Sequence, residues 1–165
     1  MKVTVAIILL STIMLAGGCS NNSSSGTKEQ PATAANEQPD MVVTLLDNSS
    51  RNVRELTGTN VLIFFQPDCD HCQREAADIE KNLDAFGESR LYFITAAPLQ
   101  EIVQFAKDYK LLEREKVYFG FTPAKNILDN YGAIAAPSVY IYSEKHKLIK
   151  SFNGEVSVEQ ILTYL

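Results

Sequence analysis

An α/β fold, with a mixed central sheet and helices on both faces, is predicted by three features of the 165-residue sequence. The run 61–65 is apolar at every position and bounded by Asn60 and Pro67, the pattern of a strand buried on both faces. Such runs alternate with stretches whose apolar residues recur at helical spacing, the order expected of parallel strands joined by helical crossovers. The last two predicted strands, 139–142 and 148–152, are joined by a polar Ser-Glu-Lys-His-Lys turn that is too short for a crossover and predicts an antiparallel hairpin.

Taken in order, residues 41–46 and 53–56 flank a polar Asp-Asn-Ser-Ser turn and predict a short N-terminal strand or hairpin. After strand 61–65, Cys72, Ala76, Ile79, Leu83 and Phe86 recur at helical spacing up to Gly87, which predicts one helix over 69–86. Residues 91–95 read as the next strand. Pro98 opens a second helix with the apolar face Leu99, Ile102, Val103, Ala106 and Tyr109, and 117–121 reads as a strand. There, Tyr118, Phe119 and Phe121 read as core residues rather than a ligand cage. Thr122 before Pro123 predicts a cap for a third helix that carries Ile127, Leu128 and Tyr131 and ends at Gly132. Pro137 suits the first residue of the strand that follows, and His146 reads as a solvated turn residue. Ser157 and Gln160 have capping-box spacing, and Val158, Ile161, Leu162 and Leu165 supply the apolar face of a last helix.

The first forty residues have a different character. Lys2, an apolar run over 3–16 and the small residues Gly17 and Gly18 follow the order of an export signal, and the run is too short for a comfortable membrane span. Cys19 follows directly, and the segment Leu15-Ala16-Gly17-Gly18-Cys19 resembles the lipobox of bacterial lipoproteins, with Ala16 where leucine is more usual. That resemblance implies cleavage after residue 18 and lipidation of Cys19; the competing reading is a plain secretory signal with a stray cysteine. Several acyl chains, at about 0.8 kcal/mol per buried methylene, would make the attachment effectively permanent. Residues 19–40 are polar and small, cannot bury enough surface to fold, and read as a tether whose reach is on the order of 25 Å. The expected organisation is a signal peptide over 1–18, a lipidated tether over 19–40 and a single domain over 41–165.

Removal of Lys2 with the leader takes the formal charge from −5 to −6, carried by scattered Asp and Glu, which argues against nucleic-acid binding. Three cysteines cannot form a dense disulfide framework, so each needs its own explanation. Cys69 and Cys72 stand three apart at a predicted helix start, where disulfide and dithiol forms are both accessible. Cys69 should sit at the helix N-terminus, where free N–H groups and the helix dipole favour the thiolate that attacks disulfides. Cys72, a turn inside, should resolve the resulting mixed disulfide.

His71, between the thiols, is expected to stabilise the Cys69 thiolate or to be an exposed spacer. Asp68, Asp70 and Glu75 oppose a further negative charge, so the redox poise should be intermediate. Glu75 shares a helical face with Cys72 and is expected to exchange its proton, or else to be a solvated helix glutamate. A zinc site would usually need a second cysteine pair, and a structural disulfide across so small a loop would stabilise little. No metal and no cofactor are called for.

From residue 41 onward the chain resembles the thioredoxin-like superfamily, and within it the TlpA and ResA type of membrane-anchored disulfide reductase. The resemblance is carried by Phe64-Phe65-Gln66-Pro67-Asp68-Cys69-Asp70-His71-Cys72, by Glu75 three positions on, and by Ala136-Pro137-Ser138. It implies a thioredoxin-like fold with a TlpA-type insertion over 98–132, and a cis Pro137 that, with Ala136, binds substrate backbone beside the cysteines. It also implies that oxidised or reduced envelope proteins are the substrates and that a membrane thiol-disulfide carrier supplies electrons. Asp68 replaces a common tryptophan, Ala136 a common threonine, and Ile63 the buried aspartate of thioredoxin proper. Two other activities are weighed: a peroxiredoxin-like thiol peroxidase, which needs a threonine and an arginine near its cysteine, and copper or zinc binding through Cys69, Cys72 and a histidine.

Overall fold

The strand predicted to be buried on both faces lies inside a seven-stranded mixed sheet in the computed structural model, which describes residues 36–165. The strands are β1 (Val42–Leu45), β2 (Ser50–Asn52), β3 (Asn60–Phe64), β4 (Arg90–Thr95), β5 (Val117–Phe121), β6 (Ser138–Tyr142) and β7 (Leu148–Asn153). They lie in the order β2-β1-β5-β4-β3-β6-β7. The inner strands β3, β4 and β5 run parallel, while β1, β2, β6 and β7 pair antiparallel at the two sides. Four α-helices complete the described chain: α1 (Asp70–Lys81), α2 (Leu99–Asp108), α3 (Ala124–Tyr131) and α4 (Val158–Leu162).

The period-2 alternation of a strand divides the core in two. Val61, Ile63 and Phe65 point to the side closed by α1, α2 and α4, among Ala76, Ile79, Ile102, Phe105 and Ile161. Leu62 and Phe64 point to the opposite side, with Met41, Tyr92, Ile94, Tyr140 and Tyr142, covered by Ile127 and Tyr131 of α3. Helices on both faces therefore follow from strands that have no polar face, as predicted. The helix-strand-helix unit expected over 98–132 is present as α2, β5 and α3, and it places β5 between β1 and β4.

Local expectations are corrected in several places. The predicted helix 69–86 stops at Lys81, because Asn82 leaves helical geometry at φ −115°, ψ 16° while its side chain donates to the Asp78 carbonyl at 2.8 Å. A 3-10 turn over Leu83–Phe86 then leads to Gly87 at φ 56°. The second strand of the N-terminal hairpin is Ser50–Asn52; Val53–Glu55 is a 3-10 turn capped by the Asn52 side chain. Thr122 does not cap α3: its hydroxyl donates to the Val42 carbonyl at 2.9 Å, and Pro123 holds the cap position. Phe105 rather than Leu99 completes the buried face of α2, Leu99 being half exposed.

The tether boundary also moves. Glu37 bridges Lys147, the Gln38 amide donates to the His146 carbonyl at 2.9 Å, and Gln38 is buried, so chain before Met41 already belongs to the fold. His146 is accordingly part of this contact rather than a solvated residue, with Nδ1 2.5 Å from Gln38 Oε1. The predicted signal peptide, Cys19 and the first part of the tether lie outside the described residues. Among the described residues no helix is long and apolar enough to cross a membrane.

Candidate active site

The site forms where β3 ends and α1 begins. Phe65 continues the sheet through its amide to the Ile94 carbonyl, and Gln66-Pro67-Asp68 then turn the chain, closed by the Cys69 amide on the Gln66 carbonyl at 3.2 Å. Cys69 takes the N-cap position of α1 with extended backbone angles, φ −91° and ψ 114°. Cap positions favour side chains that accept from the first free helical amides. Here the acceptor is sulfur: Cys69 Sγ receives the Cys72 amide at 3.5 Å.

The register of β3 against β6 pairs Phe64 with Ser138, which brings residues 136–137 against the cysteine turn. The Ala136–Pro137 peptide bond is cis, and the Cys69 thiol donates to the Ala136 carbonyl at 3.5 Å. Cys69 is thus half-buried between one donor and one acceptor, while Cys72 is buried, and both are free thiols. Cys72 Sγ accepts the Gln66 amide at 3.5 Å. Burial above all, and then its contact with Cys69, pushes the Cys72 thiol up to about 12 although the Gln66 amide opposes this.

Glu75 lies one turn further along the same face of α1 and is 3% exposed, so it is not the solvated helix glutamate weighed as its alternative. Its Oε1 accepts the Val156 amide at 3.2 Å, and its Oε2 is buried with no hydrogen-bond partner among the described residues. Burial raises this carboxyl to about 7; the Val156 amide lowers it, and the Glu155 carboxylate raises it further.

His71 is exposed, the second of its two expected placements. The hydrogen bonds at its ring run away from the thiols, with Nδ1 2.5 Å from Glu155 Oε2 and 2.7 Å from an Arg74 guanidinium nitrogen. Arg74 also grips Glu155 with two bonds, Nε to Oε1 at 2.9 Å and a terminal nitrogen to Oε2 at 2.7 Å. These contacts, Arg74 first, hold the Glu155 carboxyl down at about 2. Arg74 and Glu155 were not singled out from the sequence. Arg74 could have been found as the residue one turn from His71, but Glu155 is 84 positions away and carries no local signal.

An open hollow of about 220 Å³ lies beside Ala136 and is lined by Phe64, Gln66, Ala96, Ile127 and Leu128. Among the described residues, no three His, Cys, Asp or Glu side chains gather as metal ligands. The paired thiols, the nearby carbonyl and the buried carboxyl can carry out thiol-disulfide exchange with an internal proton acceptor.

The chain is similar to known thiol-disulfide oxidoreductases and to a peroxidoxin. The family model described as AhpC/TSA matches residues 34–151. The thiol-disulfide oxidoreductase ResA of Bacillus thuringiensis is 24% identical over 163 residues, covering 96% of this chain and 92% of that protein. A secreted Mycobacterium tuberculosis disulfide oxidoreductase homologous to Escherichia coli DsbE superposes with a TM-score of 0.65 at 18% identity, over 76% of this chain and 93% of that one. Peroxidoxin BcpB of the same bacterium superposes at 0.63 and 14% identity, over 79% and 94%. The chain belongs to the AhpC/TSA family, has the thioredoxin-like fold, and within that family resembles the ResA-type thiol-disulfide oxidoreductases.

Proposed function

We propose that this protein is a thiol-disulfide oxidoreductase of the bacterial cell envelope that reduces or isomerises protein disulfides, held at a membrane by lipid on Cys19. The observation that carries the chemistry is the pairing of a half-buried cap thiol, Cys69, with a buried thiol one turn inside, Cys72. Cys69 as thiolate attacks one sulfur of a substrate disulfide; that S–S bond breaks, a Cys69–substrate disulfide forms, and the other substrate sulfur leaves as thiolate. Cys72 then loses its proton and attacks Cys69 Sγ. The Cys69–Cys72 disulfide forms, the second substrate sulfur leaves, and two electrons have passed from protein to substrate.

A thiol pushed up by burial needs a base close by, and Glu75 is the buried carboxyl on its face of the helix. Ala136 and Pro137 would receive substrate backbone beside Cys69. A thiol-disulfide carrier of the membrane would return the protein to the dithiol. The envelope location is supported by the leader and the lipobox-like segment before Cys19.

The reduced protein should react with iodoacetamide first at Cys69 and should reduce insulin with a dithiol donor, while Cys69→Ser abolishes the reduction. Thiols that do not react when reduced would contradict the assignment. The fold shared with BcpB raises thiol peroxidase activity as a second reading. The partners seen at Cys69 Sγ, the Cys72 amide and the Ala136 carbonyl, are not the threonine and arginine that such chemistry requires. Consumption of hydrogen peroxide with a thiol donor would revive it.

A further inference from the structure

We propose that residues 153–156 form a clasp over the thiol site and that Glu155 is the positioning residue that keeps this clasp, and through it the Glu75 carboxyl, in register with Cys72. The proposal rests on the reading that Cys69 and Cys72 exchange disulfides and that Glu75 takes the Cys72 proton. Four consecutive residues each hold a different part of the site. On either side of the cis peptide, Asn153 Oδ1 accepts the Ala135 amide at 3.0 Å and lies 3.1 Å from the Ser138 hydroxyl, whose shorter bond, at 2.7 Å, goes to the Ala135 carbonyl. The Gly154 amide donates to the Pro137 carbonyl at 2.9 Å, with Gly154 at φ 105°, a conformation few other residues adopt. Glu155 grips His71 and Arg74 from outside, and the Val156 amide holds Glu75 from inside.

The charged grip fastens this segment to α1 from the outside, beside the buried bond of the Val156 amide to Glu75. A guanidinium only donates, so His71 accepts from Arg74 at Nδ1 when its proton is on Nε2, and donates from Nδ1 to Glu155 when Nδ1 carries a proton. Either way Arg74 keeps its two bonds to the Glu155 carboxylate, and the loop stays fixed to the first turns of the helix. Glu155 and Val156 are adjacent, so a shift of one moves the other. Because Glu75 Oε2 has no partner among the described residues, the Val156 amide is the hydrogen bond seen there to support the ionised form of this carboxyl. The charged groups lining the cleft at Glu75 are Arg74, Asp78 and Lys81 of α1 and Glu155 of the clasp, and Cys72 lies along the helix.

Two substitutions separate the charge of Glu155 from its grip. Glu155→Gln removes the negative charge and keeps an oxygen for Arg74; Glu155→Ala removes both. The Glu75 carboxyl is followed directly by 13C NMR titration of the reduced protein, with Glu75→Gln to assign its signal. Loss of the Val156 bond disfavours the ionised form, so Glu75 in Glu155→Ala should titrate at higher pH than in Glu155→Gln, by about one pH unit. The Gly154 and Val156 amides should also exchange with solvent faster in the alanine variant. Equal Glu75 midpoints in the two variants would overturn the proposal. The titration is read on the carboxyl itself, so its result is separate from whether the wild-type protein reduces a disulfide.

Discussion

Glu75 is a carboxyl whose ionisation works against the fold that buries it. Its folded-state value of about 7, against 4.5 when unperturbed, means the native state binds its proton more tightly than the unfolded chain. The stability this brings is complete below about pH 4.5 and is lost as pH rises through about 7. Glu75→Gln removes the loss. Urea denaturation should find the variant level with wild type near pH 4 and more stable at pH 8, by on the order of 2–3 kcal/mol. Turnover should move the other way, falling by about 100-fold as expected for a lost general base. A variant that is no more stable at pH 8 would mean that Glu75 is not held near neutrality.

At the scale of elements, the close contact of β1 with β5 depends on one missing side chain. A Cβ on Gly120 would lie 2.3 Å from Val43 Cγ1 and 3.2 Å from the Thr44 carbonyl oxygen. Gly120→Ala should therefore cost about 1–3 kcal/mol, seen as a lower urea midpoint. An unchanged midpoint would show that β1 can move away without loss. The elements that were legible in the sequence are those whose reason is local. Residues 61–65 are apolar on both faces, Pro98 stands at the start of α2, and Ser157 caps α4 by accepting the Gln160 amide. Those misread depend either on competition with distant partners or on a local side-chain bond that apolar spacing does not show. Thr122 matches a cap motif but bonds to Val42, 80 residues away, and Val53 reads as a strand residue but turns into the core in a 3-10 segment. The helix break at Asn82 comes from an amide returning to its own preceding turn, which apolar spacing alone does not reveal.

For the whole molecule, a sheet buried on both faces fixes where α1 must start, and the site follows from that start. The placement of Cys69 and Cys72 at a helix start was legible because a strand, a turn and a helix are contiguous there; spacing alone left Glu75 between a buried and a solvated reading, and the cis Pro137 came from the family resemblance. The clasp was not legible, because Asn153 to Val156 meet the site only through tertiary folding. The proposed anchor belongs to this scale too. Cys19→Ser should transfer the protein from the detergent phase to the aqueous phase in Triton X-114 partitioning, and retention in the detergent phase would remove lipid on Cys19 from the account.

In the proposed cycle Cys69 captures a substrate sulfur and Cys72 displaces it. Cys72→Ser, expressed in its native cells and resolved on non-reducing gels, should stop the cycle at the captured substrate. Discrete mixed disulfides through Cys69 should appear, collapse on reduction and be absent from a Cys69→Ser, Cys72→Ser double variant. A Cys72→Ser protein that stays entirely monomeric and unmodified under these conditions would contradict this cycle.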